Sequence, residues 1–428
     1  MVTCERDRLL SHFAVHISPV YYLLLPAYWL FPSPYTLQIG QAVVLASGLI
    51  PLYVLTKRYG LSYKIRMLLA VLYALYPALG AGCFYDIHEN CFLTPLLLWV
   101  FVGYESGHTG WMFAAAAGVL MIKEDAAAYL IGFALYLWLA KREHRLAAGL
   151  ATVATVYFTL AIVLLNQFGE GAMFGRYDNL SAGDGILGAV QTALCNPGYL
   201  LTQLFKTSSG NGGKLFYLFE LLAPLGFLPL LSKKWSRCWL FSPLLLNLLT
   251  LYPYQYEIGF QYSFGITAFL FYLTVMNAAD LSSPKRRCVL PLAVLASCLI
   301  FTMVSLPPME RQLQNWTSHR ESYREMDAIL ETIPEEASVT ASCMLVAHLS
   351  QRTELYELAY HQQPDTDYLI LDIRPGYCSE SQAQAELYRE VGYTTLEEYP
   401  DLLEILVHPA YQPERIRSST IPVRQLVK

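Results

Sequence analysis

The sequence predicts a mainly α-helical, multi-spanning membrane protein with a small C-terminal α/β domain, and three observations carry that prediction. The 428 residues are 55% hydrophobic and only 15% charged, with a mean hydropathy of +0.35; soluble chains carry about a quarter charged residues. Residues 1–307 hold 19 Lys and Arg against 14 Asp and Glu, whereas residues 308–428 hold 10 against 20. Apolar runs long enough to cross a bilayer recur through the first part and stop near Pro307. These features exclude a cytosolic enzyme, a disordered chain and a nucleic-acid binder, since no basic patch of useful size is present. Three regions follow: an outer stretch over 1–36, a transmembrane domain over 37–307 and a soluble domain over 308–428.

A bilayer core of about 30 Å needs roughly 20 apolar residues per helix, and fewer where neighbouring protein buries the ends. About ten transmembrane helices are expected, over 37–56, 67–84, 91–104, 110–122, 126–140, 147–165, 215–232, 238–252, 262–279 and 288–306. The stretch 20–31 is short and contains Pro26, so it reads as a re-entrant or interfacial helix. Lys and Arg in short loops mark the cytoplasmic side. Four clusters qualify: Lys57, Arg58, Lys64 and Arg66; Lys141, Arg142 and Arg145; Lys233, Lys234 and Arg237; Lys285, Arg286 and Arg287. The ten spans put all four on one side. That arrangement places loops 85–90, 123–125, 167–214 and 253–261 outside, with the acidic C-terminal domain. The first ten residues lack an apolar core, so no cleavable signal peptide is expected. The nine cysteines show no paired spacing and read as small apolar fillers.

Ionisable groups at the membrane are functional candidates because a charge in hydrocarbon costs at least about 2.5 kcal/mol. Asp86, His88 and Glu89 lie within one short outer link. They could hold a divalent cation such as Mg or Mn, or serve as acid and base; a solvated loop with Glu89 favouring a helix dipole is the plainer alternative. Lys123, Glu124 and Asp125 occupy the tip between two short spans. Capping and dipole complementarity explain each residue singly, but not three consecutive charges at so shallow a tip. His12 and His16 share a face if helical, a spacing that suits metal ligands or interfacial packing. The loop 167–214 is rich in glycine from Gly169 to Gly213 and carries Arg176, which could clamp a phosphate or pair with Asp178. The aromatic loop around Glu257 and Tyr262 suits a membrane interface, and Glu257 stands out in it. No nucleotide-binding or hydrolase motif occurs in a credible context.

Beyond Pro307 the pattern turns to helical spacing over 308–330, ended by Pro334, then to short apolar runs at 338–340, 354–358, 368–371 and 403–407 that read as strands. Helical stretches at 344–349 and 381–391 lie between them. Asp372 ends one strand, where an active-site acid or an ordinary turn residue can sit.

Several of these runs resemble a known family. His12-Phe13-Ala14-Val15-His16-Ile17-Ser18-Pro19, Leu30-Phe31-Pro32-Ser33-Pro34, Asp86-Ile87-His88-Glu89, Lys123-Glu124-Asp125 and Gln261-Tyr262-Ser263 look like the signatures of the membrane family designated domain of unknown function 2079. Ala347-His348-Leu349-Ser350-Gln351-Arg352 and Asp367-Tyr368-Leu369-Ile370-Leu371-Asp372 look like its outer tail. That family is grouped with the GT-C glycosyltransferases. The resemblance therefore implies a GT-C-like helical bundle and transfer of a sugar from a polyprenyl-phosphate donor on the extracytoplasmic face of the plasma membrane, with a divalent cation as the candidate cofactor. It also implies catalytic roles for Asp86, Glu89, Glu124 or Asp125, substrate contacts by Lys123, Arg176, Glu257, Tyr262, His12 or His16, and a cation on Asp86, His88 and Glu89. Family members begin earlier, with a span and an outer loop bearing an acid; here only Glu5 and Asp7 stand in that loop. A transporter or lipid flippase, expected to show polar groups near the bilayer midplane and internal repeats, is the alternative, as is an inactive, shortened member. The sequence sets neither sugar, acceptor nor oligomeric state.

Overall fold

The computed structural model describes residues 2–3, 10–84, 86–171, 174–180, 188, 191–192, 194–208, 213–361, 363–376 and 381–411. Glu5, Asp7, Gly183, Gly185, Gly210 and Gly212 lie outside the described residues. The chain divides into two compact units: Phe13–Gln312, and Met1–His12 together with Leu313–Lys428.

The unit Phe13–Gln312 is helical. Ser33 caps α2 (Pro34–Ser47) by accepting the Tyr35 amide, and Pro34 supplies the fixed φ that a first helical turn favours. α3 (Leu49–Arg58) continues it across Gly48. A Cβ at Gly48 would lie 2.0 Å from the hydroxyl of Tyr73, which reaches past it to the Leu45 carbonyl at 2.8 Å. α4 (Tyr63–Ala74) and α5 (Pro77–Gly82) are separated by Leu75 and Tyr76, the latter held extended by the proline that follows. α6 (Leu93–Glu105) and α7 (Thr109–Leu120) pack closely, and Gly103 permits it: a Cβ there would meet the Met112 backbone at 2.7 Å. α8 (Ala127–Tyr136) and α9 (His144–Phe168) follow.

At the centre runs the helix Ser263–Asp280, buried on almost every side. Phe101 stacks on its Tyr272 at 4.5 Å and meets Phe133 and Phe269 edge-on at 5.0 Å, an arrangement aromatic quadrupoles favour. The outer helices reverse the soluble pattern. α9 buries Leu150, Ala154, Ala161 and Leu165 while Val153, Val156, Leu160 and Leu164 are exposed. The helix Ser283–Val304 exposes Leu292, Leu295, Leu299 and Met303 along one stripe. Apolar stripes facing outward are what a hydrocarbon solvent selects.

Among the described residues, four helices are long and apolar enough to cross a membrane: Pro34–Arg58, Tyr63–Gly82, His144–Phe168 and Ser283–Val304. The expected span 262–279 is the unbroken helix Ser263–Asp280, and the remaining expected spans are shorter or interrupted. The stretch 215–232 becomes the helix Gly213–Leu222 followed by two 3₁₀ turns, broken where Gly226 and Phe227 adopt positive φ. The stretch 238–252 forms a 3₁₀ helix, Trp235–Leu244, and a short α-turn, Leu245–Leu248. Pro243 lies inside the former, and its missing amide cannot serve an α-helical ladder. Residues 20–31 form a 3₁₀ turn, Pro19–Leu23, and the short α1 (Leu25–Leu30).

In the second unit, β1 (Val2–Thr3) and β2 (Leu10–Ser11) form an antiparallel ribbon. A five-stranded sheet has the order β4-β3-β5-β7-β6, with β3 (Val339–Ala341) parallel to β4 (Leu355–Glu357) and β5 (Tyr368–Asp372). β7 (Leu403–Val407) lies antiparallel to both β5 and β6 (Thr394–Tyr399). Met326, Ile329 and Leu330, near the end of the long helix Leu306–Leu330, pack against one set of strand side chains. Ala385 and Tyr388, from the helix Ser381–Glu390, pack against another. β5 is therefore buried along its whole length and reads as a continuous apolar run rather than an alternation.

Candidate functional site

The first element of the site is the link into α6. Gln41, buried in α2, accepts from the His88 amide and donates to the Asp86 carbonyl, each at 3.0 Å, so one amide side chain pins the loop. The Asp86 carboxylate turns onto its own following amide, Ile87, at 2.6 Å and is exposed. Glu89 then opens a 3₁₀ turn (Glu89–Phe92) and is only 2% exposed.

The second element is the tip between α7 and α8. Lys123 is extended, and a 3₁₀ turn (Glu124–Ala126) leads into α8. The Lys123 ammonium, itself buried, meets Glu89 at 3.2 Å, and the Tyr21 hydroxyl donates to the other Glu89 oxygen at 3.0 Å. Burial alone would push Glu89 up, but the Lys123 ammonium, with His16 and His88, outweighs it and holds the carboxyl at about 2. Burial works against the Lys123 charge as well, and Glu89, Asp125 and Glu124 together lift it above its ordinary value. The pair is a true buried ion pair.

The third element is a strap of chain over 13–21. Its Ala14 carbonyl accepts from Glu170, its Val20 amide donates to Met121 at 2.9 Å, and its Ile17 amide donates to Glu124 at 3.1 Å. His16 bonds the other oxygen of Glu124 at 2.9 Å. Burial pushes Glu124 up, and His16 and Lys123 bring it below the ordinary carboxylate range.

Asp125 differs from both neighbours. Glu124 and Ala126 are buried, but Asp125 is exposed, and among the described residues no hydrogen bond or ion pair engages its carboxylate. Protein nevertheless surrounds it closely enough that loss of solvent pushes its carboxyl up; Lys123 opposes the shift and Glu124 adds to it. The hydroxyls of Tyr129 and Tyr177 are within electrostatic reach of Asp125.

Arg176 supplies the fourth element, from a 3₁₀ segment, Phe174–Leu180. Its guanidinium lies 4.6 Å over the Tyr252 ring and 5.2 Å over Tyr262, and donates to the Tyr262 hydroxyl at 2.8 Å. Tyr262 in turn is within electrostatic reach of Lys123, which ties Arg176 to the same neighbourhood. Among the described residues no carboxylate pairs with Arg176, Asp178 included. A cation held by aromatic faces and without a counter-ion is suited to a phosphate.

Of the residues singled out from sequence, the structure thus gathers Glu89, Lys123, Glu124, Asp125, His16, Arg176 and Tyr262. Asp86 faces its own backbone. Glu257 is exposed, and the charge it acts on is that of Glu220. His12 belongs to the other compact unit. Among the described residues no group of three or more His, Cys, Asp or Glu is placed to hold a metal. Asp86 serves a turn and Glu89 is held by Lys123, and burial lowers the His88 imidazole. Tyr21, Gln41 and Tyr252 were missed. Gln41 was findable as an amide inside an apolar span; Tyr21 and Tyr252 sit in aromatic runs that a membrane interface explains equally well.

The family model described as "Predicted membrane protein (DUF2079)" matches residues 5–399. Among solved structures, the crystal structure of ArnT from Cupriavidus metallidurans in the apo state is similar, with a TM-score of 0.47 and 13% identity over 91% of this chain and 87% of that one. No curated protein matches the sequence.

Proposed function

The chain belongs to the DUF2079 family of predicted membrane proteins, and from that premise we propose that it is a GT-C-type glycosyltransferase acting at the extracytoplasmic face of the plasma membrane, with a polyprenyl-phosphate sugar as donor. The observation that supports this most is the division of labour among the clustered acids: Glu89 is committed to the Lys123 ammonium and Glu124 to the His16 imidazole, and among the described residues of this cluster Asp125 is the acid that is accessible and unpaired. A carboxyl raised by its surroundings is a better base than a solvated one. In the reaction the acceptor hydroxyl gives its proton to Asp125 as its oxygen bonds the anomeric carbon. The bond from that carbon to the donor phosphate breaks, and polyprenyl phosphate leaves with the electron pair. Arg176 faces the charge developing on the leaving phosphate, the task for which a preplaced guanidinium is suited. Lys123 is too deeply engaged with Glu89 to serve as the phosphate ligand. No step of this scheme is routed through a metal. The C-terminal unit, in this scheme, is extracytoplasmic.

The test is turnover of a panel of short-chain polyprenyl-phosphate hexoses and pentoses by the purified full chain, read as release of polyprenyl phosphate. Asp125→Asn is expected to lower the rate by about 10²- to 10⁴-fold while leaving thermal stability within about 1 kcal/mol, since no partner is lost. Turnover unaltered in Asp125→Asn removes the proposed base. Transport of the intact lipid-linked sugar across vesicles, without bond cleavage, would favour the flippase reading instead.

A further inference from the structure

In the unit Phe13–Gln312, α4 carries a surface groove of about 420 Å³ lined by Tyr63, Lys64, Met67, Leu68 and Val71. Lys64, Met67, Leu68 and Val71 recur at the spacing of one helix face, so the groove runs along the helix from a cation into apolar walls. The helix belongs to Tyr63–Gly82, which is long and apolar enough to cross a membrane, and Tyr63 and Val71 are exposed.

The cationic end is built in an unusual way. The Arg66 guanidinium sits 4.9 Å over the ring of Tyr53 and 5.8 Å over that of Tyr63, and donates to the Tyr53 hydroxyl at 2.9 Å. Its Nε is buried and has no hydrogen-bond partner. Among the described residues no carboxylate pairs with Arg66 or with Lys64, while Lys57 and Arg58 add two more exposed cations on the preceding helix end. Tyr63 both lines the groove and stacks with Arg66, so the apolar and the cationic parts form one surface. A buried guanidinium N–H without an acceptor is costly and calls for one. Basic pockets at helix ends next to the bilayer are suited to anionic headgroups.

We propose that this groove binds an anionic phospholipid, one acyl chain lying along Met67, Leu68 and Val71 and the phosphodiester meeting Lys64 and Arg66. A free phosphate would satisfy the two cations but leave the apolar walls open; a neutral lipid would fill the walls and leave the cations without an anion. The site is independent of the proposed glycosyl transfer.

The full chain, purified in neutral detergent, would be titrated with dioleoyl phosphatidylglycerol and with dioleoyl phosphatidylcholine, with occupancy read by native mass spectrometry. The wild type is expected to bind phosphatidylglycerol about tenfold more tightly, as two cations near a membrane surface imply. Lys64→Gln combined with Arg66→Gln should erase that preference while phosphatidylcholine binding stays unchanged. Val71→Trp, at an exposed position, should weaken both lipids, with thermal melting confirming that each variant is folded. Equal wild-type affinity for the two lipids overturns the proposal, as does a preference that survives the double substitution. Displacement of phosphatidylglycerol by millimolar inorganic phosphate, with no effect of Val71→Trp, also overturns it by showing a phosphate site only. If the double variant fails to fold, the wild-type comparison and Val71→Trp still decide.

Discussion

The two ends of α6 hold their carboxylates by different means. At its last residue, Glu105 accepts from the hydroxyls of Tyr59, at 2.6 Å, and Tyr272; nearby, Glu143 accepts from Tyr104 at 2.7 Å. At its other end, Glu89 faces an ammonium and Glu124 an imidazole, while Asp125 has no partner among the described residues. Neutral hydroxyl donors satisfy an acid and fix its position without altering the net charge. The buried Lys123 ammonium instead sets up a field, and a field acts on whatever enters. The contrast teaches that counting acids does not locate chemistry; their partners and the one left over do.

The largest effect expected from breaking this contrast is at the buried pair. Glu89→Leu leaves the Lys123 ammonium buried without its partner and should cost about 3–5 kcal/mol in stability. Glu89→Leu with Lys123→Met should recover most of that loss, because two apolar groups replace two compensated charges. Thermal unfolding in detergent reads both, and equal losses in single and double variants would show that the pair is not what holds the strap and tip together. The pair also predicts a pH limb. The carboxyl of Glu89 lies near 2 in the folded chain against 4.5 for an ordinary glutamate. Its contribution is therefore complete above about pH 4.5 and is lost as pH falls from there toward 2. Lys123, shifted upward, contributes in full below its ordinary value of 10.5 and loses that contribution as pH rises through its higher folded value. Glu89→Gln should flatten the acid limb of a stability profile measured between pH 5 and 2.

How far the sequence disclosed this depends on what kind of force sets each feature. Strands of the second unit follow from short apolar runs bounded by turns: the runs at 368–371 and 403–407 coincide with β5 and β7, and those at 338–340 and 354–358 lie within a residue or two of β3 and β4. β6 was not seen, because its Thr394, Thr395, Glu397 and Glu398 are exposed and polar on an edge strand. In the helical unit, hydropathy located the long outer helices but overstated 215–232 and 238–252, where Pro224, Pro229 and Pro243 break the ladder in runs that remain apolar. The charged residues of the site were legible because a membrane selects against them. Their pairing was not, since Glu89 to Lys123 and His16 to Glu124 are contacts between distant segments that no local spacing encodes. Gln41 shows the same limit from the other side: its type was conspicuous, and its role in pinning 86–88 required coordinates.

An intermediate effect is expected where the strap meets the end of α9. A Cβ at Gly169 would fall 2.3 Å from the Ala14 carbonyl oxygen and 2.9 Å from that of Leu165, both backbone atoms that cannot swing aside. Gly169→Ala should therefore displace the strap and cost about 1–3 kcal/mol. Because Ala14 is close in sequence to His16 and Ile17, the same substitution should loosen their hold on Glu124. Hydrogen exchange at the Ile17 amide reads this directly: faster exchange with unchanged protection in α6 is the expected result. Unchanged exchange at Ile17 would mean that Glu124 is held without help from the α9 contact.

The smallest effect sharpens the comparison most. Glu105→Gln keeps an oxygen able to accept from Tyr59 and Tyr272, so the loss should be about 1 kcal/mol or less, and turnover in the donor panel should be unaffected. Glu124→Gln removes a charge of the same type at the other end of the unit, but there the partner is an imidazole and the neighbour is Asp125. Replacing that carboxylate takes away one of the groups that hold Asp125 up, so Asp125 should titrate lower and the acid side of the rate profile should move to lower pH. A shift in Glu124→Gln with none in Glu105→Gln is the signature of a field confined to one end of the bundle. Equal shifts in the two variants would show instead that Asp125 responds to the net charge of the whole unit, and the distinction between its two ends would lose its chemical meaning.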